Sequence, residues 1–447
     1  MRSIAITRAI FGLLCIYDLL LKYNNLHFYV PNEYYPRAYF DLFYQNNPIF
    51  LSLFSILDGP WFFKVMIAAG VISSIMIAIG KYTRVNLIIL WIIFLSFKNQ
   101  MHMERKAFDI LMLMMFLWFF LMPKDKGLVE AFQKPTFKFF DFSSIGWTMQ
   151  IVLLYSFTFL YKLPDPAWAQ NFSALTYILR KGYSYTYISD ILFIHKSIPP
   201  FLTFMTLLIE GIIPLSMLVF FRNDKFRMIA CMLMILFHCS IFFFLDVGIF
   251  TPLSICLWIS LLPGIFWERV LKLKDDSVFM ANKIFSLRNI LAIILMIIVI
   301  ISNVLLFSLP IHKRYVPVLS ALGINQSWAM FSNDYLSASK DHWLVTDSGG
   351  FDFLNDRPVT PDYFTKYYPP KSPDYTWRAL LWTTKFDSAK RNRLDTSYYL
   401  VDYLCRKNNL NSVIKLFVMV RDQDTEKLDS KLLLEYQCRP KNSTGSF

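Results

Sequence analysis

Up to about residue 309 the chain repeats one pattern, an apolar stretch followed by a short polar connection, and beyond that point the long apolar stretches stop. A helix needs about twenty consecutive apolar residues to cross a bilayer. Nine segments approach that length: 3–22, 60–80, 85–101, 107–123, 145–162, 200–221, 226–246, 249–267 and 286–309. The first ends on Asp18 and Lys22 with no small-x-small cleavage site behind it, which predicts a retained helix rather than a signal peptide. P-I-F-L-S-L-F-S-I-L-D (48–58) is too short to span and is expected at the membrane interface. The pattern predicts an all-α polytopic membrane domain over 1–309, followed by a small α+β domain over 310–447. In that tail H-W-L-V-T-D, S-V-I-K-L-F-V-M-V and L-L-L-E-Y-Q-C read as strands, and T-S-Y-Y-L-V-D-Y-L-C-R has helical spacing. The Pro/Asp/Tyr-rich stretch 356–376 reads as a long loop.

Lysine and arginine set the orientation. The connections K-Y-T-R (81–84), 123–142 (Lys124, Lys126, Lys134, Lys138), R-N-D-K-F-R (222–227) and 268–288 (Arg269, Lys272, Lys274, Lys283, Arg288) are short and basic. They fall on one side if nine helices alternate, and that side is predicted to be cytoplasmic. The opposite side receives 23–59, 98–106, 163–199, 246–248 and the tail, so the N-terminus is expected inside and the C-terminal domain outside a bacterial cytoplasmic membrane.

Composition agrees with this reading, since 55% hydrophobic and 18% aromatic residues with only 17% charged ones do not suit a soluble domain. The formal charge of +13 does not signal nucleic acid, because many basic residues occupy the connections where topology needs them. Cys15, Cys231, Cys239 and Cys256 lie in apolar segments, whereas Cys405 and Cys438 both lie in the tail, where export would let them form a disulfide. No internal repeat, CxxC pair, HExxH, P-loop or glycine-rich phosphate turn occurs, and no metal is expected.

Ionisable groups inside apolar helices cost about 2.5–3.5 kcal/mol near the bilayer centre, so each asks for a partner or a role. Asp18, Asp109, Lys162, Glu210, His238 and Asp246 are such groups. Under the predicted topology Lys162 ends the fifth span at the outer face, with His102, Glu104 and Asp109 at the outer connection before the fourth. His238 and Asp246 lie in the outer part of the seventh, and Glu210 lies mid-span in the sixth. Each also has a structural reading. A lysine at a helix end snorkels to the headgroups, a buried histidine packs through a hydrogen bond, and Glu210 can bridge two helices. H-M-E-R-K (102–106) can be a solvated loop, and Asp18 with Lys22 one turn later can satisfy each other. Convergence on one side of the bilayer argues for a shared cavity.

Y-K-L-P-D-P-A-W (161–168), followed by a span ending H-C-S-I-F-F-F-L-D-V-G-I-F (238–250) and then L-L-P-G-I-F-W (261–267), resembles the membrane domain of the vitamin K-dependent γ-carboxylases. That module is the horizontally transferred transmembrane (HTTM) domain, shared with bacterial proteins. The resemblance covers about residues 1–270. It implies that Lys162 is the base that starts oxygenation of a reduced quinone, with His238 and His102 as further catalytic residues. It also implies that Glu210, Asp165, Trp168, Glu104, Asp109 and Asp246 line the substrate side. The physics is compatible, because a poorly hydrated pocket disfavours an ammonium ion. A hydroquinone of vitamin K or menaquinol type would enter from the lipid. Pro164 and Pro166 should stop the helix just past Lys162 and turn the amine inward, towards the helices bearing His238 and Glu210, with Trp168 anchoring the turn at the interface.

The chain departs from the carboxylases in its tail, which lacks their large lumenal region. N-Q-S-W-A-M-F-S-N-D (325–334) instead resembles a Trp-x-x-Phe-Ser feature in tails of bacterial HTTM proteins. It is also similar to the small partner of the membrane protein that matures a sporulation-delaying peptide toxin. Two functions follow. One is a quinol-using membrane enzyme that modifies a secreted peptide or small protein. The other is a non-carboxylating maturation, export or immunity factor for a secreted toxin. A transporter is disfavoured, since Pro214 is the only mid-span proline in a strong apolar run.

Overall fold

The computed structural model describes residues 2–33, 37, 40, 49, 52–100, 107–122, 131, 137–138, 141–180, 191–220, 222–245, 247–271, 278–279, 286–308, 318–326, 328, 340–347, 350–353, 357–359, 396–421 and 428–438. The membrane-type part is helical. Its helices are α1 (Arg2–Asn24), α2 (Pro60–Ile79), α3 (Thr83–Gln100), α4 (Ala107–Leu121), α5 (Phe142–Lys162), α6 (Pro166–Ala169) and α7 (Ala174–Arg180). They continue as α8 (Ile198–Phe220), α9 (Asp224–Phe244), α10 (Phe250–Ser260), α11 (Gly264–Leu271) and α12 (Leu287–Ser308). Among the described residues six of these, α1, α2, α5, α8, α9 and α12, are long and apolar enough to cross a membrane.

The other three expected spans differ for physical reasons. Segment 249–267 is not one helix: α10 and α11 meet at a 97° bend. Pro263 in L-L-P-G lacks the N–H a continuing helix needs and disfavours helical geometry at Leu262. Counted as one span, the bent pair makes a seventh. Helix α4 is described over 15 residues, and α3 is polar at both ends, with Thr83 and Arg84 opening it and Lys98, Asn99 and Gln100 closing it. Within 48–58 a 3-10 turn at Leu53–Ser55 is tied to α3, the Ser52 hydroxyl donating to the Ser96 carbonyl over 3.1 Å.

Helix α5 is central, lying against α4, α8 and α12, while α1 packs on α2 and α10. At one end of the bundle, strands β1 (Phe137–Lys138) and β2 (Val278–Phe279) pair in parallel, and Arg288 bridges to Asp141 at 3.0 Å. The basic connections 123–142 and 268–288 are therefore neighbours. The opposite ends of α1 and α3 meet the tail. His27 stacks on Tyr403 with ring centres 5.3 Å apart, and Asn99 donates to the Ala321 carbonyl over 3.0 Å.

After α12 the chain folds back into the bundle. Gly323 has φ +69°, and a Cβ there would come within 2.3 Å of Leu113, so only glycine fits both the turn and the space. Beyond it Gln326 and Gln150 of α5 exchange two amide hydrogen bonds of 2.8 and 2.9 Å. Asn303 and the Trp328 indole each donate to the Gln326 oxygen over 3.2 Å. All four side chains are buried, so Gln326 and Trp328 are part of the helical core.

The rest of the tail is an antiparallel sheet with one helix. Strands β3 (Lys340–Asp347), β4 (Phe351–Asp352), β5 (Arg357–Pro358), β6 (Val413–Arg421) and β7 (Leu428–Gln437) lie in the order β5-β4-β3-β6-β7. Leu344, Val345, Ile414 and Leu416 are buried, together with Leu400, Val401 and Leu404 of α13 (Thr396–Asn408). Cys405 of α13 and Cys438, just past β7, are joined in a disulfide with Cα atoms 5.5 Å apart. Most of the expected loop 356–376 lies outside the described residues.

Candidate functional site

Pro164 sits two residues past Lys162, and α5 ends at Lys162 with Leu163 as its cap. Pro166 then opens α6 at a position where a missing N–H costs nothing. Asp165 is the N-cap of that short helix, its carboxylate accepting from the Ala167 N–H over 2.9 Å. The turn folds Trp168 back over the end of α5, with the Lys162 amine 4.3 Å from the centre of its ring. The Trp168 ring does not face lipid. It is buried in a small apolar cluster with Ala174, Ile178, Leu179, Leu192 and Leu207, because α7 and α8 pack over the turn.

The amine points into the bundle. Lys162 is 2% exposed and Glu210 of α8 is 6% exposed, and the ammonium donates to a Glu210 carboxylate oxygen over 2.5 Å. Two features of α8 serve this approach. Gly211 has the Phe159 ring where a side chain would be, 3.0 Å from a Cβ built there, so α8 closes on α5 beside Glu210. Pro214 stands four residues after Glu210 and removes the N–H that would have capped the Glu210 carbonyl, leaving an extra acceptor. An ion pair out of water holds only with close geometry and further polar support, and removing one partner strands the other charge.

Seven residues before Lys162, two turns down the same face of α5, the Tyr155 hydroxyl is 2.5 Å from Nε2 of His238 on α9. Tyr155 also lies beside Trp258 of α10, with ring centres 5.5 Å apart. Lys162 is within electrostatic reach of His238, as Glu210 is of Tyr155. Lys162, Glu210, Tyr155 and His238 thus form one buried group across α5, α8 and α9.

The remaining expected site residues divide. Asp109 is buried elsewhere, 3.7 Å from Lys22, which is also ion-paired with Asp18. This second charged cluster joins α1 to α4, and in it Lys22 serves both carboxylates, not Asp18 alone. His102, Glu104 and Asp246 lie outside the described residues. Among the described residues no group of three or more His, Cys, Asp or Glu could hold a metal ion. Sequence reasoning missed Tyr155, Gly211 and the polar face of α10. The spacing of Tyr155 from Lys162 could have flagged it, but a tyrosine in an apolar helix also reads as packing.

No protein family, curated protein or solved structure matches the chain. The functional reading therefore stands on these residues and their motif.

Proposed function

We propose that this chain is an integral-membrane enzyme of γ-carboxylase-like type, with the HTTM module over 1–309, in which Lys162 acts as a base toward a reduced lipid quinone and a secreted peptide or small protein is modified. The observation that carries the reading is the inward Lys162 amine. A lysine that only ends a span reaches for the headgroups, whereas this one is ion-paired inside the bundle and covered by an indole ring. The donor set suits a hydroquinone. The amine and carboxylate can meet a ring hydroxyl, Trp168 offers an aromatic face, and the neighbouring Leu163 is 43% exposed. A reduced quinone, when bound, supplies with oxygen a base strong enough to deprotonate a weakly acidic carbon. Glu210 fixes the amine and shares its proton, Trp168 keeps water away, and His238 is held by Tyr155.

Nine spans, a cytoplasmic N-terminus and an extracytoplasmic tail in a bacterial membrane belong to the same reading. Three observations support it. The two longer basic connections are neighbours, the tail meets the opposite helix ends, and the tail carries a disulfide of the kind made in oxidising compartments. The alternative, a non-catalytic maturation or immunity factor, draws on the same ion pair read as a helix brace.

Photolabelling separates the two. An azidoquinone irradiated with the protein in nanodiscs should modify residues 155–170 and 203–214, and menaquinone should compete. Labelling confined to other helices, or insensitive to menaquinone, would remove the quinol from this site and favour the brace.

A further inference from the structure

Many hydroxyls on the bundle helices donate to a carbonyl one turn back: Thr7, Ser74, Ser96, Thr148, Thr158, Thr203 and Thr206 to the residue four before, Ser216 and Ser240 to the residue three before. Three hydroxyls depart from this habit, Ser156 of α5 and two of α10. Thr251 and Ser254 are 1% and 0% exposed, and neither oxygen has a hydrogen-bond partner among the described residues. The indole N–H of Trp258 and Nδ1 of His238 are in the same condition. Thr251, Ser254 and Trp258 are spaced i, i+3, i+7, so they share one face of α10. That face is turned to Tyr155: the Trp258 ring lies 5.5 Å from its ring, and Ser254 and Trp258 both interact with its hydroxyl, though neither makes a hydrogen bond of good geometry to it. His238 closes the far side, its ring 6.4 Å from Phe250 beside Thr251.

Buried polar groups are nearly always satisfied; of the twelve such side-chain atoms without a partner among the described residues, four lie on α10 and on the His238 that holds Tyr155. The indole can only donate, whereas the hydroxyls and the second imidazole nitrogen can donate or accept. A neutral molecule offering both roles fits such a set, and buried water typically makes about three bonds of this kind. We propose that Tyr155, His238, Thr251, Ser254 and Trp258 surround an internal bound-water site in the bundle core. The site continues the buried group of Lys162 and Glu210 and would give a proton leaving that pair a route to His238. That role rests on Lys162 acting as a base; the water site itself does not.

Radiolytic hydroxyl-radical footprinting of the full chain in nanodiscs reads internal water directly, because radicals formed there mark the adjoining side chains. Tyr155, His238 and Trp258 should be labelled several-fold faster than Trp147 and Trp328, which are equally buried but have partnered indoles. Ser254→Leu, which fills the space, should return Tyr155 and His238 to the rate of those controls, and Ser254→Ala, which cannot misfold the helix, should leave them fast. Equal labelling of all five residues in the parent protein would overturn the site. Fast labelling that survives Ser254→Leu in a protein of unchanged melting temperature would overturn it too, since the radicals would then come from outside.

Discussion

Lys162 and Glu210 hold each other at 2.5 Å inside the bundle, so neither can be changed alone without stranding a charge. Lys162→Met or Glu210→Leu alone should each lower stability by about 3–5 kcal/mol. The double variant, which removes both charges, should recover most of that loss. Thermal melts in detergent would check this, and a double variant as unstable as the worse single one would deny that the two charges are coupled. The inward aim of Lys162 could be read from the prolines behind it. Its partner could be named as a helix bridge, but pairing the two needed the fold, because 48 residues separate them. The burial of Trp168 was not legible for a similar reason. Its burial depends on α7 and α8 covering the turn, which no local pattern announces.

Among the elements, long apolar helices and the alternating strands of the tail were legible because each is a local pattern of period 3.6 or 2. The segment 318–328 was not. Its place is set by Gly323 against Leu113 and by the exchange between Gln326 and Gln150, contacts between residues distant in the chain. Gln326→Ala should cost about 1–3 kcal/mol, because Gln150 is left with an orphaned amide in an apolar surround. A denaturation midpoint within error of the parent would contradict that network. In the tail sheet, burial and the Asp402 carboxylate that accepts its hydrogen bond over 2.8 Å both push the Tyr436 hydroxyl up. Its folded form keeps the proton to higher pH than the unfolded chain. The stability it contributes is therefore intact below about pH 10, the ordinary tyrosine value, and is lost as pH rises through the folded value. Tyr436→Phe should flatten the alkaline loss of tail structure followed by circular dichroism, and an identical profile in the variant would put the loss elsewhere.

At the scale of the molecule, the Lys162–Glu210 pair and the Gln150–Gln326 exchange both stand on α5, whereas the Lys22 cluster joins α1 to α4 and the disulfide-bonded sheet packs with α13. Membrane character was plain from composition, whereas the count of spans was not. Pro263 bends one expected helix by 97°, an effect of a single residue that a hydropathy window averages away. The central claim is that Lys162 serves as a base and not only as a brace. Lys162→Arg separates the two roles better than Lys162→Ala, because a guanidinium keeps the charge and the Glu210 pair yet does not give up its proton at neutral pH. The direct measurement is menaquinol-dependent oxygen uptake by the purified protein in nanodiscs, parent against Lys162→Arg, with melting temperatures taken alongside. The account predicts uptake by the parent and none by a variant that melts as the parent does; an arginine variant as active as the parent would contradict it.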